Sequence, residues 1–347
     1  MVISRTPFRI SFFGGGTDYP AWYREHGGAV LGTAIDKYCY INCRYLPPFF
    51  EHRLRLVYSK VELCRSVADI QHPVVKAVLG KVGLSRGLEI HHDGDLPARS
   101  GMGSSSAFTV GFLHAVYALQ GQMAPKEALA AEAIHVEQKL LLETVGAQDQ
   151  LFAAHGGFNR IEFRTDDSFR VEPLPLSRDR LEELGGSLML FYTGIRRTAS
   201  EVAATYVGDI KSRSQQLKRI REMVDEGAQI LTGRESLDGF GKLLAEGWQL
   251  KRSLSGSVST SRVDSIYEAA VRAGAKGGKL LGAGGGGFLL FYAPPVVQQR
   301  VKDALKDLIW VPFGFDSSGS QIIFYSPEQD YAELDQKRSE QLISGNT

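Results

Sequence analysis

The sequence has almost no charge excess, few cysteines and no long apolar run, and each shortage narrows what the protein can be. Forty Lys and Arg residues stand against 39 Asp and Glu, a formal net charge of +1. General nucleic-acid binders and membrane-surface proteins need a strong basic excess, so both classes are set aside. A locally basic pocket stays open. The three cysteines, Cys39, Cys43 and Cys64, cannot all pair within one chain, which fits a reducing compartment. Cys39 and Cys43 have no His or Cys at metal-ligand spacing and read as apolar filler in a strand. No segment approaches the roughly 20 consecutive apolar residues of a membrane-spanning helix. Arg5, Pro7 and Arg9 break up the first residues before a secretory leader could gain length, so a cytoplasmic location is expected. Tandem repeats, low-complexity tracts and a G-x-x-x-x-G-K-[ST] phosphate loop are also missing.

What is there is a chain of 347 residues, 43% hydrophobic, longer than one core commonly serves. Two lobes are therefore expected, with strands and helices interleaved in an α+β or mixed architecture. Val2–Phe13, Ala29–Tyr45, Arg53–Tyr58 and Gly87–His92 carry strand patterns, as do Gly286–Tyr292, Ile309–Phe313 and Gln321–Tyr325. Helical patterns cover Pro20–His26, Ser104–Leu119, Lys126–Leu142, Ala199–Ile230, Leu237–Leu254 and Val296–Leu308. The charged, Pro-containing stretch Pro173–Glu183 is the expected lobe boundary, dividing the chain into 1–178 and 179–347.

Three glycine-rich segments and one carboxylate carry the chemistry. Leu96–Ala107 (LPARSGMGSSSA) lies between a strand and an apolar helix. Its glycines let backbone curl around a ligand, and the free N–H groups of a helix start favour a phosphate. An ordinary serine cap after a glycine turn gives the same pattern. Gly282–Gly287 formally matches G-x-G-x-x-G but leads into a strand rather than a helix, so it fails the context of a dinucleotide fingerprint. Its run of glycines calls for close approach to a ligand or another loop. In Arg5–Pro20, Arg9 sits in an otherwise apolar strand, where a lone guanidinium is costly unless paired. Asp18 follows a glycine turn and either holds sugar hydroxyls or caps the next helix. Asp149 reads as a carboxylate in a short loop, Gly146–Gln150.

Taken in order, Arg5–Pro20, Leu96–Ala107, Val145–Gln150 and Lys279–Phe288 resemble the GHMP superfamily of small-molecule kinases along nearly the whole chain. The resemblance implies a two-lobed fold, each lobe a largely antiparallel sheet with helices. It also implies phosphoryl transfer from ATP with Mg²⁺. Within the superfamily, Phe12–Pro20, Gly28–Tyr38, Gly146–Gln150, Gly156–Asn159 and Tyr192–Gly194 look most like bacterial heptokinases. These act on D-glycero-D-manno-heptose 7-phosphate at its anomeric hydroxyl. Fucokinases share part of the pattern, and galactokinases carry Glu-His where this chain has Gly15 and Gly16.

By the same resemblance, Asp149 would be the catalytic carboxylate and Arg9 the arginine near the transferred group. Arg99, Ser100, Gly101, Met102, Gly103, Ser104, Ser105 and Ser106 would bind ATP, with Ser105 and Glu137 on Mg²⁺. The bland alternative for Glu137 is a solvated helix face. Gly15, Gly16, Thr17, Asp18, Lys37, Thr193, Gly194, Gly284, Gly285 and Gly286 would form the substrate side. Arg196 and Arg197 would grip a phosphate already on the substrate, or form a solvated surface pair. Arg99 stands where the family usually has glycine; a phosphate contact and a solvent position both stay open. Partners are thus a sugar phosphate and ATP, with no nucleic acid or membrane, and a homodimer left open. A non-catalytic sugar sensor on the same fold is the rival from another class, disfavoured by the presence of Asp149, Glu137 and Ser105. An ATP-using decarboxylase of this fold lacks a visible substrate pattern.

Overall fold

The computed structural model describes the chain apart from residues 84–85, 196–198, 328–330, 332, 335–336 and 338–347, and apart from the side chains of 199–201 and 206. In chain order the strands are β1 (Val2–Phe13), β2 (Gly28–Tyr45), β3 (Leu54–Val57), β4 (Val61–Cys64), β5 (Leu88–Gly94), β6 (Phe158–Phe163) and β7 (Phe169–Pro173). Then follow β8 (Leu188–Tyr192), β9 (Gly277–Leu280), β10 (Phe288–Tyr292), β11 (Ile309–Val311), β12 (Phe315–Asp316) and β13 (Gln321–Tyr325). One sheet runs β13-β1-β2-β5-β3-β4, with β12 and β6 also on β2 and β7 on β6; the other runs β11-β8-β10-β9. Every pairing is antiparallel except β3 with β5.

β1 is the spine. From Thr6 to Phe13 every residue is buried, which requires cover on both faces of the strand. Helices Ser104–Leu119 and Gln148–His155 pack on it, and so do Ser214–Thr232 and Asp238–Leu254 from the second half of the chain. The largest hydrophobic cluster accordingly joins Phe8, Phe12 and Phe152 to Phe240, Phe288 and Leu190. A second cluster is built on Trp22, Phe191, Trp248 and Phe291.

The chain returns across the expected division at 178/179. β13 pairs with β1 and β12 with β2, so residues 315–325 belong by hydrogen bonding to the first sheet. Two expected helices also change. Lys126–Leu142 is α-helical only to His135, then widens into a π-turn over Val136–Leu140, a form that often marks functional positions. Ala199–Ile230 breaks into Ala199–Val207, a 3₁₀ turn at Ile210–Arg213 and Ser214–Thr232. Gly208 at the break is the poorest helix former after proline. No helix among the described residues is long and apolar enough to cross a membrane.

Candidate active site

A cleft of about 900 Å³ opens where β1, the 97–106 turn, the 143–149 segment and the two long helices of the second half meet. At its centre Arg9 Nε donates to Asp149 Oδ1 at 2.7 Å and Nη2 donates to Oδ2 at 2.8 Å. Nη1 donates to Gly101 O at 2.8 Å, so the guanidinium also holds the glycine turn. Arg9 is buried, and the Asp149 side chain is 25% exposed. The arginine that looked costly in an apolar strand is therefore paired through a two-pronged fork. Asp149 itself lies in the first turn of helix Gln148–His155, not in a loop. A carboxylate is favoured there by the helix dipole. Gly103, at φ +75°, makes the approach possible: a Cβ there would press on Arg9 Cγ at 3.2 Å and Asp149 Oδ2 at 3.4 Å.

Asp18 is buried and lines the same cleft. Its Oδ1 accepts from Gly16 N at 3.0 Å and its Oδ2 from Gln148 Nε2 at 3.0 Å. Burial raises its pKa, with the Asp149 charge adding to the effect and the backbone donors opposing it. Gly15 and Gly16 line the cleft beside it, and a Cβ on Gly15 would find nothing closer than 3.7 Å.

Of the expected ATP-binding residues, Arg99, Gly101, Gly103, Ser104, Ser105 and Ser106 line the cleft. Ser100 and Met102 turn inward, with Ser100 Oγ donating to Pro97 O at 2.6 Å. Glu137 is buried in the π-turn, which excludes the solvated-face reading. Its Oε2 accepts from Ser106 Oγ at 2.9 Å and from Gln150 Nε2, while Oε1 has no hydrogen-bond partner. The serine against Glu137 is thus Ser106, not the expected Ser105, which is exposed at the helix start. Burial lifts the Glu137 carboxyl to about 7, against the opposing influence of the Thr109, Ser106 and Gln150 side chains. A buried carboxylate with a free oxygen beside a hydroxyl is a donor set that suits a hard divalent cation. No group of three or more His, Cys, Asp or Glu among the described residues forms a cage for one.

Several expected substrate residues lie elsewhere. Thr17 bridges Gly14 O and Ala29 O, and Thr193 Oγ1 donates to Gly287 O; both are buried fasteners outside the cleft lining. Lys37 Nζ is taken by Asp36 Oδ1 at 2.9 Å, and Gly194 is exposed away from the cleft. Gly284 and Gly285 pack on Val258 and Gly286 on Ile195. The glycine run meets other loops, and only Gly282 and Ala283 reach the cleft. Arg196 and Arg197 lie outside the described residues.

Residues that the sequence reading missed complete the site. Gln148 and Gln150 flank Asp149 and serve Asp18 and Glu137; their alternation around Asp149 was the available signal. His72 stacks on Phe108 at 4.6 Å, with Tyr58 edge-on to His72 at 5.0 Å. Burial lowers the pKa of His72 and of nearby His92, favouring neutral rings. His72 and Phe108 stack while Tyr58 and His92 stand edge-on to them, so the cleft has an aromatic cluster in its lining. Lys251 and Lys279 line the floor.

Residues 68–157 match the GHMP kinases N terminal domain, and residues 228–308 match GHMP kinases C terminal. A D-glycero-alpha-D-manno-heptose 7-phosphate kinase of Campylobacter jejuni is 27% identical over 317 residues, 87% of this chain and 92% of its own length. A galactokinase of Thermococcus kodakarensis is 27% identical over 80% of this chain and 85% of its own. Among solved structures, a D-glycero-D-manno-heptose 1-phosphate kinase from Bacteriodes thetaiotaomicron superposes with a TM-score of 0.77 at 25% identity, over 94% of this chain and all of that one. With both domains present in order, the chain belongs to the GHMP kinases.

Proposed function

We propose that the protein transfers the γ-phosphoryl group of ATP to the anomeric hydroxyl of D-glycero-D-manno-heptose 7-phosphate, giving heptose 1,7-bisphosphate and ADP. The observation that carries this reading is the Arg9–Asp149 fork, which shares one cleft with the serine turn and Asp18. Backbone N–H groups at the start of helix Ser104–Leu119 hold the nucleotide phosphates. Asp18 and Gln148 orient sugar hydroxyls. Asp149, its plane fixed by Arg9, accepts the proton of the attacking hydroxyl as that oxygen bonds to the γ-phosphorus and the bond to the bridging oxygen of ADP breaks. The positive charge of Arg9 offsets charge developing on the transferred group. Glu137 and Ser106, with Ser105 beside them, would hold Mg²⁺, which would supply neutralisation of phosphate charge.

The metal assignment has its own test. Glu137→Gln is expected to raise the Mg²⁺ concentration for half-maximal activity by about 10–100-fold while leaving the acceptor KM in place. Ser105→Ala and Ser106→Ala, titrated alongside, show which hydroxyl shares the ion. A changed acceptor KM with an unchanged Mg²⁺ requirement removes Glu137 from the metal site.

The two heptose kinases are named for different substrate phosphates, so heptose 1-phosphate is the second acceptor to compare. Steady-state kinetics on heptose 7-phosphate, heptose 1-phosphate, unphosphorylated heptose, fucose and galactose decide among them. The expected result is a kcat/KM for heptose 7-phosphate about tenfold or more above that for unphosphorylated heptose. Equal efficiency on those two, or a preference for fucose, sinks the heptose-phosphate reading and leaves the kinase intact.

A further inference from the structure

Two lysines meet on the floor of the cleft, and the roles given above use neither. Lys279 comes from β9 and is buried; its Nζ donates to Phe12 O at 2.6 Å, at the foot of the Gly14–Asp18 turn. Lys251 comes from helix Asp238–Leu254, one turn beyond Gly247, whose position abuts Phe13. Its Nζ donates to Leu280 O at 2.9 Å and to Gly282 O. Both side chains are thus anchored on backbone carbonyls around the cleft, Lys279 at Phe12 and Lys251 where Gly282 packs on Gly101. Each can donate three hydrogen bonds, so one proton of Lys251 and two of Lys279 are left over.

Neither lysine has a carboxylate within ion-pair distance among the described residues. The carboxylate of Asp149 is taken by Arg9. Desolvation depresses both lysines, Lys251 well below the usual range and Lys279 to about 7, and each also feels the charge of Arg9. Burying like charges without a counter-charge is costly. The pair becomes favourable when an anion enters and takes up the spare donors.

We propose that Lys251 and Lys279 form the subsite for the phosphate group that the acceptor already bears. This rests on the sugar-phosphate reading above and supplies the cationic grip that such a substrate needs. The nucleotide is the other source of the same phosphoryl chemistry. Its loop stands at the start of helix Ser104–Leu119, and Gly282, which holds Lys251, packs on Gly101 of that loop, whereas Lys279 is tied to Phe12; the nucleotide arm of the titration therefore separates the two sources.

Isothermal titration of the full chain tests the assignment, using wild type, Lys251→Met and Lys279→Met. The titrants are heptose 7-phosphate, unphosphorylated heptose, inorganic phosphate and a non-hydrolysable ATP analogue. Wild type is expected to bind the phosphorylated heptose about tenfold or more tightly than the neutral sugar. Lys251→Met should erase that preference while affinity for neutral heptose and for the nucleotide analogue stays unchanged, and Lys251→Arg should restore part of it. Lys251→Met is the primary variant, because Lys279→Met also removes the tie to Phe12. A loss confined to the nucleotide analogue, or an equal loss on both sugars, overturns the subsite. If wild type shows no preference between the sugars, the acceptor reading fails, and inorganic phosphate then judges the lysines alone. Weaker phosphate binding in Lys251→Met supports an anion site there, and unchanged binding overturns it.

Discussion

Asp149→Asn is expected to lower kcat by about 10²–10⁴-fold, the span that a positioned general base supplies, while ATP still binds. The substitution keeps an oxygen for Arg9 and preserves the first turn of helix Gln148–His155, so the fold should survive. What it removes is the proton acceptor facing the cleft. Single-turnover kinetics with nucleotide affinity measured separately make the split visible. A variant that turns over at close to the parental rate takes Asp149 out of the role of base.

Arg9→Met is expected to fail in two ways at once. Activity should fall by about 10²–10³-fold, as when a donor preorganised for developing charge is lost. Stability should fall as well, because Asp149 loses both donors and Gly101 O loses its partner. Breaking a buried pair costs about 3–5 kcal/mol, and the 25% exposure of Asp149 places this case toward the lower end. Denaturant midpoints at unchanged slope would read that loss. Combined with Asp149→Asn, the activity losses should be far from additive, since the two side chains act as a unit. Fully additive losses would mean that the two residues serve different steps.

Glycine and serine patterns expose themselves in a sequence because they constrain a few neighbouring residues. The turn at Leu96–Ala107, the apolar strand interrupted by Arg9 and the helix Ser104–Leu119 were legible for that reason, and the helix bounds match the structure to the residue. The short helix Gln148–His155 was hidden because Leu151, Phe152, Ala153 and Ala154 are buried together and leave no polar face to set a period. The π-turn at Val136–Leu140 has no sequence period of its own, so Glu137 could be read as exposed when it is buried. Thr17, Thr193 and Gly284–286 fasten loops to one another, and close packing between loops demands the same small residues as close packing on a ligand.

The sequence by itself determined the α+β class, the family and the order of the glycine-rich segments, because these depend on local patterns and spacing. Tertiary structure decided which side chains work together. Arg9 meets Asp149 across 140 residues, Glu137 finds Ser106 rather than Ser105, and Lys279 reaches Phe12 across 267 residues. It also carried residues 315–325 back to the first sheet. The physical reason is that a buried charge is tolerated only where a partner or a ligand meets it. Which segment brings that partner is set by the packing of strands and helices far apart in the chain.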